Sequence, residues 1–389
     1  MKKNILLSIK NIIRDTIGEG EFALHEPYFI GDEKAFLIDC INKNYVSSIG
    51  GFVDKFEEEL SKYLNVKHVI LTNSGTSALH SSLKVAGINA NDEVLVPSLT
   101  FVATTNAILY CNALPHFIDS DIKTLGVNTS LLKKYIDSKT IVKKNTLINK
   151  TTGNCIKAII PVHTFGHACQ IDEIIKIAKK YNLKVIEDAA EAIGSTYKKK
   201  SLGTFGDMGI LSFNGNKTIT TGAGGAILTN NDKYATELRH ITTTSKIKHK
   251  WKFMHDRIGY NYRMPNICAA IGLAQLENIE LLIKNKRKLH KRYKDNFENN
   301  KYVDIYTERQ KSFSNYWFNS IILKEKYLDF RDDILDFLNK NQIGSRPCWE
   351  LMHKLPYLKN FPKMDMTGSE KIYKRIINIP SSSNILSRS

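Results

Sequence analysis

His68-Val69-Ile70-Leu71 runs straight into Thr72-Asn73-Ser74-Gly75-Thr76-Ser77-Ala78-Leu79, and a helical stretch then leads to Glu93-Val94-Leu95-Val96. A short β-branched run, a turn rich in glycine and hydroxyl residues, a helix and a second apolar run together make one βαβ unit. Repeating that unit gives a mostly parallel, doubly wound sheet, the α/β class. Further strands are expected at Leu114 to Asp119, Ile156 to Val162, Lys184 to Asp188, Met208 to Phe213 and Gly225 to Thr229, with helices between several of them, such as Ile171 to Tyr181.

After Pro265 the pattern changes to a long, Lys-rich amphipathic helix from Ile267 to Asn296, and then to a mixed α+β segment. This divides the 389 residues into an N-terminal helix with a large α/β domain over 1–275 and a smaller α+β domain over 276–389. Ile5, Ile9, Ile12, Ile13 and Ile17 recur at helical spacing and predict an amphipathic helix over 5–17. Tyr135 to Ile156 is polar, carries the turn Thr151-Thr152-Gly153-Asn154, and reads as a surface excursion between strands.

Hydrophobic residues make up 42% and charged residues 24%, which excludes disordered and collagenous classes. Lys10 and Arg14 interrupt the first apolar run before it reaches signal-peptide length, and no other stretch approaches a membrane span, so a cytoplasmic protein is expected. The six cysteines include no CxxC pair, so reduced thiols and no metal site are expected. A net charge of +17 admits nucleic acid, an anionic membrane or a phosphorylated substrate as partner. The lysines are spread along the whole chain and no nucleic-acid motif spacing occurs, so most of them read as a solvated face, a few attracting a nucleotide diphosphate.

Three pieces carry chemistry. At Asn73-Ser74-Gly75-Thr76-Ser77 a strand ends and a helix begins. Free amides, the helix dipole, close approach at Gly75 and the hydroxyls of Thr76 and Ser77 suit a phosphate there, although an ordinary βα turn uses the same residues. In Val185-Ile186-Glu187-Asp188-Ala189-Ala190, Asp188 stands at the carboxyl end of a core strand, where pairing with a protonated pyridine nitrogen is one of several jobs open to it. In Ser212-Phe213-Asn214-Gly215-Asn216-Lys217, followed by Thr220-Thr221-Gly222-Ala223-Gly224-Gly225, Lys217 leaves a strand into a glycine-rich loop. Its amine can there be positioned and partly desolvated, lowering its pKa toward imine chemistry, whereas an isolated loop lysine is usually just solvated. Phosphate turn, strand-end carboxylate and lysine in that order point to pyridoxal phosphate.

With Pro97-Ser98-Leu99-Thr100-Phe101-Val102-Ala103-Thr104, Glu187-Asp188-Ala189-Ala190-Glu191 and Gly259-Tyr260-Asn261-Tyr262-Arg263-Met264-Pro265, these stretches make the chain resemble, over nearly its whole length, the DegT/StrS-type nucleotide-sugar aminotransferases, which are fold-type-I, aspartate-aminotransferase-like pyridoxal-phosphate enzymes. The resemblance implies that Lys217 is the Schiff-base lysine and Asp188 the partner of the pyridine nitrogen. It implies that Phe101 stacks on the cofactor ring and that Thr76, Ser77 and Ser212 contact its phosphate beside Gly75. Asn261 would reach across from a second subunit, giving a homodimer with shared sites. Glu191 stands where the family more often has Gln or His near the phenolic oxygen, and its role is left open. The glutamate, with Leu24-His25-Glu26-Pro27, Tyr45-Val46-Ser47-Ser48, Pro161 to His167 and Arg346-Pro347-Cys348-Trp349, resembles the legionaminic and bacillosamine-type branch.

His163 and His167 flank a glycine turn. His163 reads as an acid/base at the substrate or as a structural residue. Arg263 and Arg346 are candidates for substrate phosphate or sugar hydroxyls, and Arg263 could equally brace a dimer. The implied reaction takes the amino group of L-glutamate through pyridoxal and pyridoxamine phosphate to C4 of a UDP- or GDP-linked 4-keto-6-deoxy, N-acetylated sugar for a surface glycan. Alternatives are transfer to another keto position, a dehydratase of the same fold, in which His stands where this chain has Lys217, and a non-catalytic basic regulatory or nucleic-acid-binding protein on this scaffold. Intact Lys217, Asp188 and Ser212 speak against the last.

Overall fold

The computed structural model describes residues 1–387. Nine strands form the main sheet: β1 (His68–Thr72), β2 (Glu93–Pro97), β3 (Leu114–Ile118), β4 (Thr140–Lys143), β5 (Thr146–Asn149), β6 (Cys155–Ile159), β7 (Lys184–Asp188), β8 (Met208–Ser212) and β9 (Gly225–Thr229). Its main path runs β1-β9-β8-β7-β6-β2-β3. β9 is antiparallel to both neighbours and the remaining neighbours on the path are parallel. Strands covered on both faces have no polar side to show, which is why Val94, Leu95 and Val96 follow one another, all fully buried. This is the α/β architecture the motifs imply.

Register assembles the carboxyl edge of the sheet. Gly225 pairs with both Thr72 and Ser212, so the turn after β1 and the tip of β8 lie on either side of a residue without a side chain. A Cβ at Gly225 would sit 2.5 Å from the carbonyl carbon of Ser74, closer than any side chain tolerates. Ile210 pairs with Asp188 and brings the tip of β7 to the same edge.

Three expectations are corrected. The polar stretch Tyr135 to Ile156, expected as a surface excursion, completes the helix Thr129–Lys139 and forms the β4–β5 hairpin, with β5 joined to the main sheet through β6. Its polar residues have a buried partner, because the fully buried Glu93 accepts Nδ2–H of Asn149 at 3.0 Å and the Thr152 hydroxyl, and pairs with His116 Nδ1 at 2.6 Å. The long helix from Ile267 is two, Asn266–Glu277 and Ile279–Asn296, bent by 61°. At the break the side chain of Asn278 turns back to donate to the Ala274 carbonyl at 3.0 Å, competing with the helix backbone. Among the described residues no single helix is long and apolar enough to cross a membrane.

The third correction concerns the N-terminal helix, Lys2–Ile17, which does not pack with the large sheet. Its buried stripe of Ile5, Ile9, Ile13 and Ile17 shares a core with Leu289, Tyr293, Val303, Ile321 and Ile377. Such a stripe must find an apolar partner, at roughly 2 kcal/mol per buried isoleucine, and the helix Ile279–Asn296 supplies one. The neighbouring four-stranded sheet is built from Val303–Ile305, Asn319–Leu323, Ile376–Ile379 and Arg346–Pro347.

Candidate active site

A cavity of about 330 Å³ opens at the carboxyl edge of the main sheet. Gly75, Thr76, Asp188, Ser212 and Lys217 give it a polar floor, and Phe101, Trp317 and Trp349 give it an aromatic wall.

The floor begins where the helix Gly75–Val85 starts. Ser74 caps it, its Oγ accepting the Ser77 amide at 3.0 Å. The Ser77 hydroxyl in turn donates to Asn73 Oδ1, so it is engaged within the turn and does not line the cavity. Gly75 and Thr76 do, and helix geometry leaves their amides without intrahelical acceptors. Two free N–H groups at the positive end of a helix make an anion site. A Cβ at Gly75 would lie 3.0 Å from Cβ of Ser212, so the glycine lets the helix end close onto the tip of β8.

Asp188 is buried, with both oxygens hydrogen-bonded. Thr104 Oγ1–H donates to Oδ2 at 2.7 Å and the Ala190 amide donates to Oδ1 at 3.1 Å. Because the Thr104 proton points to Asp188, Thr100 must donate onward to Thr104 across their 2.8 Å contact. Burial pushes the Asp188 carboxyl above the usual carboxylate range, partly offset by these donors and by the positive charge of Lys217.

Lys217 follows β8, its amide donating to the Asn214 carbonyl at 2.9 Å. Its Nζ lies 3.9 Å from the centroid of the Trp317 ring and 3.3 Å from Glu191 Oε1, with the side chain 12% exposed. Trp317 is itself fixed, its indole N–H donating to the Asn216 carbonyl at 2.6 Å. Glu191 Oε2 accepts the Phe165 amide at 2.8 Å. Burial pushes the Glu191 carboxyl up to about 7 against the pull of Lys217.

The other candidates divide. Phe101 is no core aromatic: it is 52% exposed on the cavity wall at the start of the helix Val102–Tyr110. His163 reaches the cavity, but both its nitrogens are engaged, Nε2–H with Glu187 Oε2 at 3.0 Å and Nδ1 with the Cys169 amide at 3.4 Å, which favours the structural reading. His167 is buried between Tyr306 and Tyr316, outside the cavity. Asn261 does not line this chain's cavity. It is exposed, and its neighbour Tyr262 accepts the Asn73 amide at 2.8 Å, so the loop runs beside the phosphate turn. Arg263 and Arg346 lie outside this chain's cavity. Arg263 Nη2 pairs with Glu57 at 3.0 Å and Arg346 Nη1 donates to Asn339 Oδ1 at 2.9 Å. Glu57 is itself buried, accepts the Leu71 amide at 2.9 Å and also pairs with Arg239 at 2.7 Å.

Thr104, Trp317 and Trp349 are site residues that sequence reasoning missed. Thr104 closes the quoted stretch from Pro97 and lies in the first turn of the helix Val102–Tyr110, within reach of the Thr100 hydroxyl just before that helix. Trp349 closes the quoted stretch from Arg346, and Trp317 carries no local signal.

A family model described as the DegT/DnrJ/EryC1/StrS aminotransferase family matches residues 28–388. The chain is 39% identical over 92% of its length, and 92% of the relative's, to the GDP-perosamine synthase of Escherichia coli O157:H7. It is 32% identical, over 88% of its own length and 89% of the relative's, to the UDP-4-amino-4,6-dideoxy-N-acetyl-beta-L-altrosamine transaminase of Campylobacter jejuni serotype O:23/36. Among solved structures, Helicobacter pylori PseC, an aminotransferase involved in the biosynthesis of pseudoaminic acid, superposes with a TM-score of 0.85 at 25% identity, covering 94% of this chain and 95% of that one.

Proposed function

We propose that this chain, which belongs to the DegT/DnrJ/EryC1/StrS aminotransferase family, moves the amino group of L-glutamate to C4 of a UDP- or GDP-linked 4-keto-6-deoxy, N-acetylated sugar. It is a fold-type-I, pyridoxal-phosphate-dependent nucleotide-sugar aminotransferase. The observation that carries the reading is the meeting, in one cavity, of a helix-end anion site, a buried carboxylate and a partly buried lysine amine. The 4-amino-4,6-dideoxy and N-acetyl groups in the Campylobacter relative's name support the position and the acylation, and the perosamine synthase's name keeps GDP beside UDP.

The residues present fit the cofactor. Gly75, Thr76 and Ser212 would hold its phosphate, Asp188 its ring nitrogen and Lys217 its aldehyde carbon, with Phe101 on the wall beside the ring. When bound, the group supplies an electron-poor ring that takes up an amino group from one substrate and gives it to the next. Desolvated and still hydrogen-bonded, Asp188 is a strong proton acceptor, suited to keeping a ring nitrogen protonated. Lys217 Nζ is the atom that takes a proton from the amino donor and returns one to the acceptor. Glu191, 3.3 Å away, is positioned to hold or release a proton beside that amine.

A homodimer with shared sites completes the reading. The segment leading to Asn261 exposes Trp251 (74%), Phe253 (82%) and Ile258 (82%), an apolar surface of the kind a second copy covers.

The deciding experiment is amino transfer from glutamate, assayed against UDP- and GDP-linked 4-keto-6-deoxy sugars with the product identified by mass and NMR. A 4-amino nucleotide sugar is expected. No product from any of them, by protein that still converts glutamate, would remove the reading.

A further inference from the structure

Three segments that are far apart in sequence bound the Lys217 amine. They are the loop after β7 that carries Glu191, the loop after β8 that carries Lys217 itself, and the stretch before the strand Asn319–Leu323 that carries Trp317. All three meet on the side chain of Asn315, which is fully buried and lies outside the cavity. Its Nδ2 donates to the main-chain carbonyls of Glu191 and Ile193, each at 2.9 Å, and to Oγ1 of Thr218, the residue that follows Lys217, at 3.2 Å. Its Oδ1 accepts the Trp317 amide at 2.8 Å.

A primary amide offers two N–H donors and one carbonyl, and here each is spent on a segment that bounds the amine. The fold makes room for this. Gly166 is left-handed, with φ 88°, and a Cβ there would overlap Asn315 Oδ1. The main chain of Asn315 is tied as well, its amide donating to Ser195 Oγ at 2.9 Å. The other polar groups of Trp317 are also engaged, the indole N–H with Asn216 and the carbonyl with the buried Nζ of Lys286 at 3.2 Å. Packing alone would need only the shape of Asn315. Its hydrogen bonds are directional, and without them the Glu191 and Ile193 carbonyls and the Trp317 amide lose buried partners, so the three segments must shift to find new ones.

We infer that Asn315 is a positioning residue, which fixes Glu191, Lys217 and Trp317 relative to one another and so sets where the transferring amine stands. It acts through those residues from outside the cavity. The inference rests on the proposed transfer from glutamate and adds the group that orders its amine.

The test is a single turnover of the holoenzyme with glutamate, followed by loss of the visible band of the lysine-linked cofactor. Asn315→Ser deletes the whole amide. Thr218→Val is nearly isosteric and removes only the 3.2 Å contact, so it keeps the test open should Asn315→Ser not fold. Asn149→Ala is the control for stability, because Asn149 is also buried, gives its Nδ2 to Glu93 and lies outside the cavity.

Both site variants should keep the visible band, since the lysine remains. Asn315→Ser should lower the limiting rate by between about tenfold and 100-fold, as expected for an amine displaced by up to ~1 Å, with half-saturation by glutamate within about threefold of wild type. Thr218→Val should lower that rate about threefold, the worth of one weak hydrogen bond. Asn149→Ala should lower the urea midpoint of the cofactor-free protein and leave the rate within about twofold of wild type. A wild-type rate in Thr218→Val or in folded Asn315→Ser, with the wild type converting glutamate, would overturn this inference alone. A wild type that forms no lysine-linked band, or leaves glutamate unchanged, would overturn the proposed function together with it.

Discussion

The ring of Trp317 covers the amine of Lys217, with Nζ 3.9 Å from the ring centroid, although Lys217 follows a strand of the main sheet and Trp317 precedes one of the smaller sheet. Ring and amine also share a backbone link, since Trp317 donates its indole N–H to the carbonyl immediately before Lys217. With Glu191 on its other side at 3.3 Å, the amine has a defined place before any substrate arrives. Lys217→Ala should abolish the visible band of the lysine-linked cofactor and reduce turnover by at least about 10³-fold. Trp317→Leu keeps the amine but removes its cover, worth about 1 kcal/mol, and should slow both half-reactions about fivefold. Stopped-flow absorbance with glutamate alone, then with keto sugar, separates them.

Glu191 gives a pH signature. Its carboxyl is raised from 4.5 to about 7 by burial, so the folded protein binds a proton that the unfolded chain has released throughout that interval. Folding stability must then fall as pH rises from about 4.5 to 7 and level off above, by about 3 kcal/mol at most. Glu191→Gln cannot titrate. In urea unfolding of the cofactor-free protein, the difference between the two proteins should move against wild type across that window; a difference independent of pH would show that Glu191 is already ionised at pH 5.

The phosphate turn, Asp188 and Lys217 were legible because each is local: a strand tip followed by glycine and hydroxyl residues has one geometry whatever surrounds it. What Glu191 and Arg263 do was not. Glu191 meets Phe165 and Lys217 only after three loops converge, and Arg263 pairs with Glu57, a buried carboxylate on the helix Gly51–Leu64 far from it in sequence. Trp317 belongs to a segment whose own pattern says only that it is α+β, and Trp349 was quoted in a motif without a place in the site. The Asn278 break was hidden for a related reason, since periodicity continues across it while the asparagine side chain captures a helix carbonyl.

Asp188 and Thr104 separate charge from its support. Asp188→Asn would leave a neutral group where the proposed function puts the ring nitrogen, and should lower kcat about 10³-fold while the fold persists. Thr104→Val removes only the 2.7 Å donor to Oδ2 and also strands the Thr100 hydroxyl, so a loss of about tenfold is expected. Measuring both in single turnover with glutamate tests the order. A Thr104→Val effect equal to that of Asp188→Asn would mean that the hydroxyl, not the carboxylate, governs the ring.

Whether Asn261 serves its own site or a partner's can be read by complementation. Its side chain lies outside the cavity of its own chain, on a loop whose neighbouring residues expose Trp251, Phe253 and Ile258. Asn261→Ala alone should weaken cofactor retention. Suppose Asn261 reaches across a two-fold interface, and mix Lys217→Ala chains with Asn261→Ala chains after dissociation. In a mixed dimer, one site then has both defects and the other has neither, because its lysine comes from one chain and its asparagine from the other. Random pairing makes half the dimers mixed, so activity should recover to about a quarter of wild type. If Asn261 acts within its own chain, each site of the mixed dimer keeps one defect and mixing restores nothing. Titrating the ratio of the two chains sharpens the distinction, since only sharing across subunits gives a maximum at equal amounts.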